Sequence, residues 1–272
     1  MIRVLEGNPG GPMRSGEAPA PPGSMTGGSV TDSGAVAKVL RQLLARTEVT
    51  ETRALIAASD SLASFRVLSF ASEASQQEIE TTVQRLLPTD SGRMGLHRHH
   101  IGRNGSGTTV YAVAFDRGAI QALAATARLA GVEPVAVELK SISVARVAPI
   151  ASCVVLDLST DPAEVFLIDA SLPRLWHSFR AKLENGEDDV SKIAAGLRTV
   201  LNFYKRPPSG ATFGPAVPVL ISGDNSLPSH AVAALQGMIG HQVYALPVPA
   251  RVSAGIRHGN YLACLGLIMR RL

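Results

Sequence analysis

The spacing of apolar residues changes several times along the chain, and each change marks an element. Met1-Ile-Arg-Val-Leu-Glu6 alternates as a short strand. Residues 8–29 break the pattern with Asn-Pro-Gly-Gly-Pro, Ala-Pro-Ala-Pro-Pro-Gly and Thr-Gly-Gly, a composition that predicts a loop or disordered segment. Helical spacing then begins. Asp32 or Ser33 can cap a segment that puts Val36, Val39, Leu40, Leu43 and Leu44 on one face. Thr52–Ala58 and Ser64–Phe70 read as strands. Ser75-Gln-Gln-Glu78 is a capping box, in which serine oxygen and glutamate carboxylate satisfy end amides reciprocally. The helix it opens buries Ile79, Val83 and Leu86 or Leu87, and stops at Pro88. Thr108–Phe115 alternates as a strand. Arg117–Ala130 is a helix closed by Gly131, followed by a strand at 132–138 and a short helix at 141–148.

After Cys153 the pattern turns to three successive strands, at 153–158, 164–169 and 173–179. A long amphipathic helix follows, with Val190, Ile193, Ala194, Leu197, Val200, Leu201 and Tyr204 on one stripe. The strand 218–222, a helix at 229–239, a strand at 242–246 and a helix at about 259–270 complete the chain. Three strands, then helix, strand, helix and strand, predict an α/β fold with a mixed sheet and helices on its faces.

Composition narrows the function. With 46% hydrophobic and 18% charged residues, the 272-residue chain suits a well-buried globular protein. Its net charge of +4 is scattered, and no basic stripe interleaved with aromatics points to nucleic acid. Two cysteines, Cys153 and Cys264, lie far apart in apolar runs, which suits buried thiols in a reducing compartment. No apolar run approaches the ~18 residues needed to cross a bilayer, and the N-terminus lacks an export signal. The expectation is a cytoplasmic protein without direct membrane insertion. Leu96-His-Arg-His-His-Ile101 invites a metal reading. On a strand, however, His97 and His99 point opposite to His100, and no carboxylate stands nearby, so a solvated strand or hairpin arm is expected instead.

The ordered segments carry a family resemblance over roughly 20–272. Pro22-Gly-Ser through Val30-Thr-Asp and the helix after it, Ser75 through Leu87-Pro88, Ala130-Gly-Val-Glu-Pro-Val-Ala-Val-Glu138, Asn202-Phe-Tyr-Lys205, Ile221-Ser-Gly-Asp224 and Ala263-Cys-Leu-Gly-Leu-Ile268 resemble landmarks of the PilM family. These are cytoplasmic actin-like proteins of type IV pilus assembly, related to the cell-division protein FtsA. The resemblance implies an actin-like (ribonuclease H-like) fold with mixed sheets, an inserted β/α subdomain, a truncated first lobe and a reduced second-lobe subdomain. In that scheme residues 1–30 are a strand plus a flexible Pro/Gly-rich loop. Residues 31–69 and 141–150 form an incomplete first subdomain, 70–140 the insertion and 151–272 the second subdomain. It further implies binding of the cytoplasmic tail of a PilN-like inner-membrane protein, peripheral placement at that membrane through this partner, and leaves self-association open.

The same resemblance places an ATP or ADP site with Mg²⁺ between two hairpins and a glycine turn, because backbone N–H groups must approach phosphate oxygens closely. Asp157 matches the acid of the second hairpin. Ser159 stands where a glycine is usual, Thr160 follows, and Pro162 offers no N–H. Gly223 and Asp224 keep part of the glycine turn, although a carboxylate at 224 repels phosphate unless a cation intervenes. The strand and turn of the first hairpin have no counterpart after Met1, and the piece that would wall the adenine shrinks to about ten residues, 180–189, by the helix-start signals. Asp157, Ser159, Thr160, Gly223 and Asp224 are thus expected as vestigial phosphate contacts, with no catalytic residue and no metal ligand. The expected function is a scaffold with a degenerate nucleotide site. The alternative is a working ATPase whose first phosphate loop lies upstream of Met1. A sugar-kinase-like enzyme lacks its sugar-binding acid here.

Overall fold

A computed structural model describes residues 1–8, 10–88, 92–104, 107–159, 161–181, 187–204, 217–223, 227–247, 252, 256 and 258–270. The chain divides into two compact units, one of Arg3–Gly16 with Ser141–Leu272 (and Met1), the other of Glu17–Lys140 (and Ile2).

The first unit is organised by one five-stranded sheet. Its strands are β10 (Cys153–Asp157), β11 (Ala163–Asp169), β12 (Leu172–Phe179), β13 (Val219–Ser222) and β14 (Val243–Ala245), in the order β12-β11-β10-β13-β14. The β10–β11 and β11–β12 pairs are antiparallel, whereas β10–β13 and β13–β14 are parallel. Parallel pairs need crossovers, and α5 (Glu187–Tyr204) and α6 (Ser229–Ile239) supply them. Successive side chains of a strand face opposite sides, so the sheet builds two cores. Val154, Leu156, Val165, Leu167 and Ile221 pack with Ile193, Leu197 and Leu235 of α5 and α6. Cys153, Val155, Phe166, Ile168 and Leu220 pack on the other side with α4 (Lys140–Val147) and α7 (Leu262–Ile268). Leu5, Met13 and Trp176 complete that second core. The last helix is shorter than the apolar pattern predicted, because residues 258–261 form a 3₁₀ turn ahead of it.

Leu5 and Met13 come from a two-stranded sheet of β1 (Ile2–Gly7) and β2 (Met13–Ala18). The stretch 8–29, expected as loop, therefore holds a strand, and β3 (Met25–Thr26) with β4 (Ser29–Val30) adds a small ladder. Backbone pairing needs no particular composition, and an apolar residue such as Met13 is enough to anchor such a strand.

Among its described residues the second unit contains two further sheets besides the β3–β4 ladder. β6 (Ala63–Phe70), β8 (Gly107–Asp116) and β7 (Met94–Asn104) pair antiparallel in the order β6-β8-β7. Against one face lies α2 (Gln76–Leu86), where Ile79, Val83 and Leu87 meet Val110, Ala112 and Ala114. Leu87 is buried and Leu86 exposed, which resolves the pair left open by the sequence. Ser75 caps α2 through the Glu78 amide at 3.1 Å. Elsewhere β5 (Arg53–Ala58) pairs in parallel with β9 (Glu133–Leu139). The helix α1 (Ser33–Arg46) packs on α3 (Arg117–Leu129). Asp32 caps α1 by accepting from the Ala35 N–H at 2.9 Å, and Gly131 leaves α3 with φ +91°. His97, His99 and His100 lie exposed on β7, on the strand arm their spacing suggested.

Candidate functional site

β10 is the strand at which the sheet changes direction, antiparallel to β11 on one side and parallel to β13 on the other. Ligands of open α/β sheets bind outside the carboxyl ends of strands at such a point. Asp157 ends β10 here and is 1% exposed. In register it faces Glu164 on β11 and Ser222 on β13. Both neighbours are buried, Glu164 accepting from Trp176 Nε1 at 2.9 Å and Ser222 Oγ donating to the Gly259 carbonyl at 3.0 Å. A row of polar groups thus crosses the end of an otherwise apolar sheet.

The two turns that leave β10 and β13 are fastened to one another. The Ser159 N–H donates to Asp157 Oδ1 at 2.9 Å, and the Leu158 N–H donates to the Ser222 carbonyl at 2.8 Å. Gly223 has φ +115°, and a Cβ there would stand 2.6 Å from the Ser159 nitrogen. A Cβ at Gly259 would stand 2.7 Å from the Gly223 nitrogen. Three backbone segments meet with no room for side-chain carbon between them. The Arg3 guanidinium closes the corner, Nη1 donating to Ser159 Oγ at 3.2 Å and Nη2 to the Ser159 carbonyl at 2.8 Å.

Of the residues expected from sequence, Asp157, Ser159 and Gly223 come together. Thr160 and Asp224 lie outside the described residues, as do 182–186 of the segment between β12 and α5. Sequence reasoning missed Arg3, Ser222, Gly259 and Glu164. A cation between Ile2 and Val4 was a signal for Arg3; Gly259 carried none. One strand-length from Asp157 along β10, burial pushes the Cys153 thiol up to about 12, so it stays protonated at neutral pH and offers no nucleophile.

The nucleotide and Mg²⁺ implied by an actin-like fold would meet engaged donors at two positions of the described corner. A phosphate there needs inward N–H donors, yet the Ser159 N–H is engaged by Asp157 and the Leu158 N–H by Ser222. Gly223 packs on the turn at Ser159 and Gly259 packs on Gly223, so the described backbones lie close together. What the described arrangement does is hold three chain segments in one fixed geometry.

No protein-family model matches the sequence, and no curated relative does. Solved structures do. A chain of the PilM-PilN type IV pilus biogenesis complex superposes with a TM-score of 0.73, over 98% of this chain and 94% of that one, at 17% identity. The fold is actin-like. The cytoplasmic domain of EpsL, an inner-membrane component of the type II secretion system of Vibrio cholerae, gives a TM-score of 0.51 at 10% identity, covering 87% of this chain and 82% of that one. A Bacteroides thetaiotaomicron protein of actin-like ATPase fold and unknown function is also similar, at TM-score 0.47 and 12% identity, over 87% of this chain and 82% of that one. At such identities what is shared with the PilM-PilN chain and the EpsL domain is the fold. Among the described residues, no helix is long and apolar enough to cross a membrane.

Proposed function

We propose that this protein is a non-catalytic scaffold of a type IV pilus or related secretion or DNA-uptake assembly, holding the short cytoplasmic tail of a PilN-like inner-membrane protein. One observation carries this reading: the likeness to a chain of the PilM-PilN complex runs over 98% of the sequence, insertion included. The EpsL domain, from an inner-membrane component of a secretion system, supports the same class of role. In this reading residues 31–69 with 141–150 form the first subdomain and 70–140, with the β6-β8-β7 sheet and α2, the insertion. Residues 151–272 form the second subdomain, and the protein sits in the cytoplasm, peripheral at the membrane through its partner.

The corner around Asp157 supports a scaffold over a hydrolase. Hydrolysis of a triphosphate requires the phosphate and an attacking water to be positioned together by free donors, and the Ser159 and Leu158 N–H groups and the Arg3 guanidinium are bonded within the chain itself. Asp157 then serves to cap its own turn, with Ser159, Thr160, Gly223 and Asp224 as remnants of phosphate contacts.

The test is binding of a synthetic peptide spanning the cytoplasmic tail of the PilN-like protein, followed by thermal unfolding. At 100 times its Kd such a peptide stabilises by about 2.7 kcal/mol, and a rise in Tm of a few degrees is expected. No rise at high peptide concentration removes the scaffold reading. ATP turnover abolished by Asp157→Ala replaces it with the ATPase reading.

A further inference from the structure

We infer that Arg3 is a built-in occupant of the corner beside Asp157, a latch that docks the N-terminal hairpin onto the β10–β11 turn without any ligand. The inference rests on the degenerate-site reading above and adds what fills the site and what that filling controls.

Three observations converge. The first is the forked contact. Arg3 reaches a residue 156 positions away and takes hold of it at two atoms, hydroxyl and carbonyl. A guanidinium presents its donors in a fixed planar fork, so a two-point grip fixes orientation as well as distance. The second is that the gripped residue is itself immobilised from the other side. Ser159 N–H is bound to Asp157, and the Gly223 backbone, itself backed by Gly259, presses against the turn. A latch works only if its catch is rigid, and this one is.

The third observation concerns what the latch secures. Two residues on from Arg3, Leu5 packs into the second core of the sheet, and Met13 of β2 packs there with it. The thiol of Cys264 on α7 lies 4.0 Å from the Arg3 carbonyl, so β1 also runs along that helix. The two strands form only a two-stranded sheet, and such a pair is marginal by itself. Its order depends on docking, and Arg3 supplies the polar, orientation-setting part of that docking. A guanidinium bound to Ser159 leaves the N-terminal hairpin in one position whether or not nucleotide is present. The surface presented to a partner is then constitutive.

The experiment uses the full chain and reads the hairpin directly. Amide hydrogen exchange of residues 2–7 and 13–18 is followed together with the emission of Trp176. That is the single tryptophan and a member of the same core as Leu5 and Met13. Arg3→Met is expected to raise exchange across β1 and β2 by about tenfold or more, the scale of hydrogen bonds from a charged donor. It should shift Trp176 emission while far-UV circular dichroism stays unchanged. Arg3→Lys, which keeps charge and loses the fork, should give an intermediate increase, and Ser159→Ala, which removes one of the two acceptors, a smaller one. Sodium tripolyphosphate and Mg-ATP are expected to leave wild-type exchange at the hairpin unchanged. If Arg3→Met and Arg3→Lys both leave the hairpin as protected as in the wild type, the latch is wrong. If tripolyphosphate alone frees the hairpin, the contact is a ligand-gated one and the constitutive latch is overturned. ATP hydrolysis by the wild type with an unchanged Arg3→Met response would instead strike the scaffold reading while sparing the latch.

Discussion

In the sheet of 141–272, β10 and nearly all of β11 are buried on both faces, with helices above and below. In the unit of 17–140, β6 is mostly half-buried, with Phe65 buried and Arg66 and Ser69 exposed, β7 carries exposed histidines, and α2 covers one face of their sheet. The charged groups divide less sharply. Arg93–Asp116, Arg98–Glu80 and Arg128–Glu133 pair at the surface of the second unit, which also buries Asp60, whereas the first buries Asp157, Glu164 and Asp189 and pairs Arg14 with Glu6 near its surface. Burial on two faces removes more apolar area from water and fixes polar groups that could not remain there unsatisfied. The first unit therefore gains rigidity where its three backbones converge, and the second keeps a polar, adaptable surface. On the scaffold reading proposed above, one part would hold shape and the other meet partners.

The largest expected effect tests that division directly. Leu197→Ala, at a side chain with 0% exposure, should cost 4–5 kcal/mol on the scale of about 2–5 for such truncations. Ile79→Ala beneath the three-stranded sheet should fall in the lower half of that range, since α2 has room to settle. Urea unfolding followed by Trp176 and by circular dichroism measures both, and equal losses would erase the contrast. Gly266→Ala comes next. Its new carbon would stand 2.0 Å from the Ser143 carbonyl oxygen where α4 and α7 cross, and overpacking of this kind costs about 1–3 kcal/mol. A neutral outcome in thermal unfolding would mean that the first unit yields more readily than its packing indicates. Asp32→Ala should destabilise the second unit by about 1 kcal/mol through loss of the α1 cap.

Acid sharpens the comparison at smaller amplitude. The Ala119 N–H, and after it the Arg93 guanidinium, hold the Asp116 carboxyl below the usual carboxylate range. A depressed folded-state value means that stabilisation is present at neutral pH and disappears as pH falls through that lowered value. Asp116→Asn should therefore lower Tm slightly at pH 7 and leave it unchanged in strong acid; a difference that persists there would contradict the assignment. The smallest effect is an absence. At pH 8 the Cys153 thiol, pushed up to about 12 by burial, should resist alkylation in the folded protein while Cys264, which is partly exposed, reacts. Mass spectrometry of tryptic fragments distinguishes the two.

Much of this fold could be read locally. Caps at Asp32 and Ser75, the exit at Gly131 and the alternation of 108–115 each depend on residues within a few positions of each other, and the elements form where these signals lie. β2 escaped because its partner strand, not its own proline- and glycine-flanked composition, gives it order. The site divides the same way. Asp157 and Ser159 sit on one turn and Gly223 was found through its glycine signature. Arg3 and Gly259 act across separations of 156 and 36 positions, and nothing in their own neighbourhoods reports the backbone they approach. Short-range chemistry is legible in a string of residues; convergence of distant turns is a property of the folded chain.

Beyond residue 3 the polypeptide passes between its two units near residues 16–17 and 140–141. During synthesis the 17–140 unit is therefore complete before any strand of the five-stranded sheet has been made. Residues 3–16, emerging earlier, have nothing to settle on until that sheet exists. At about 5–20 residues per second the wait lasts on the order of ten seconds. Through that interval Leu5 and Met13 lack the core they pack against, and β1 is made well before the surface on which it finds its place.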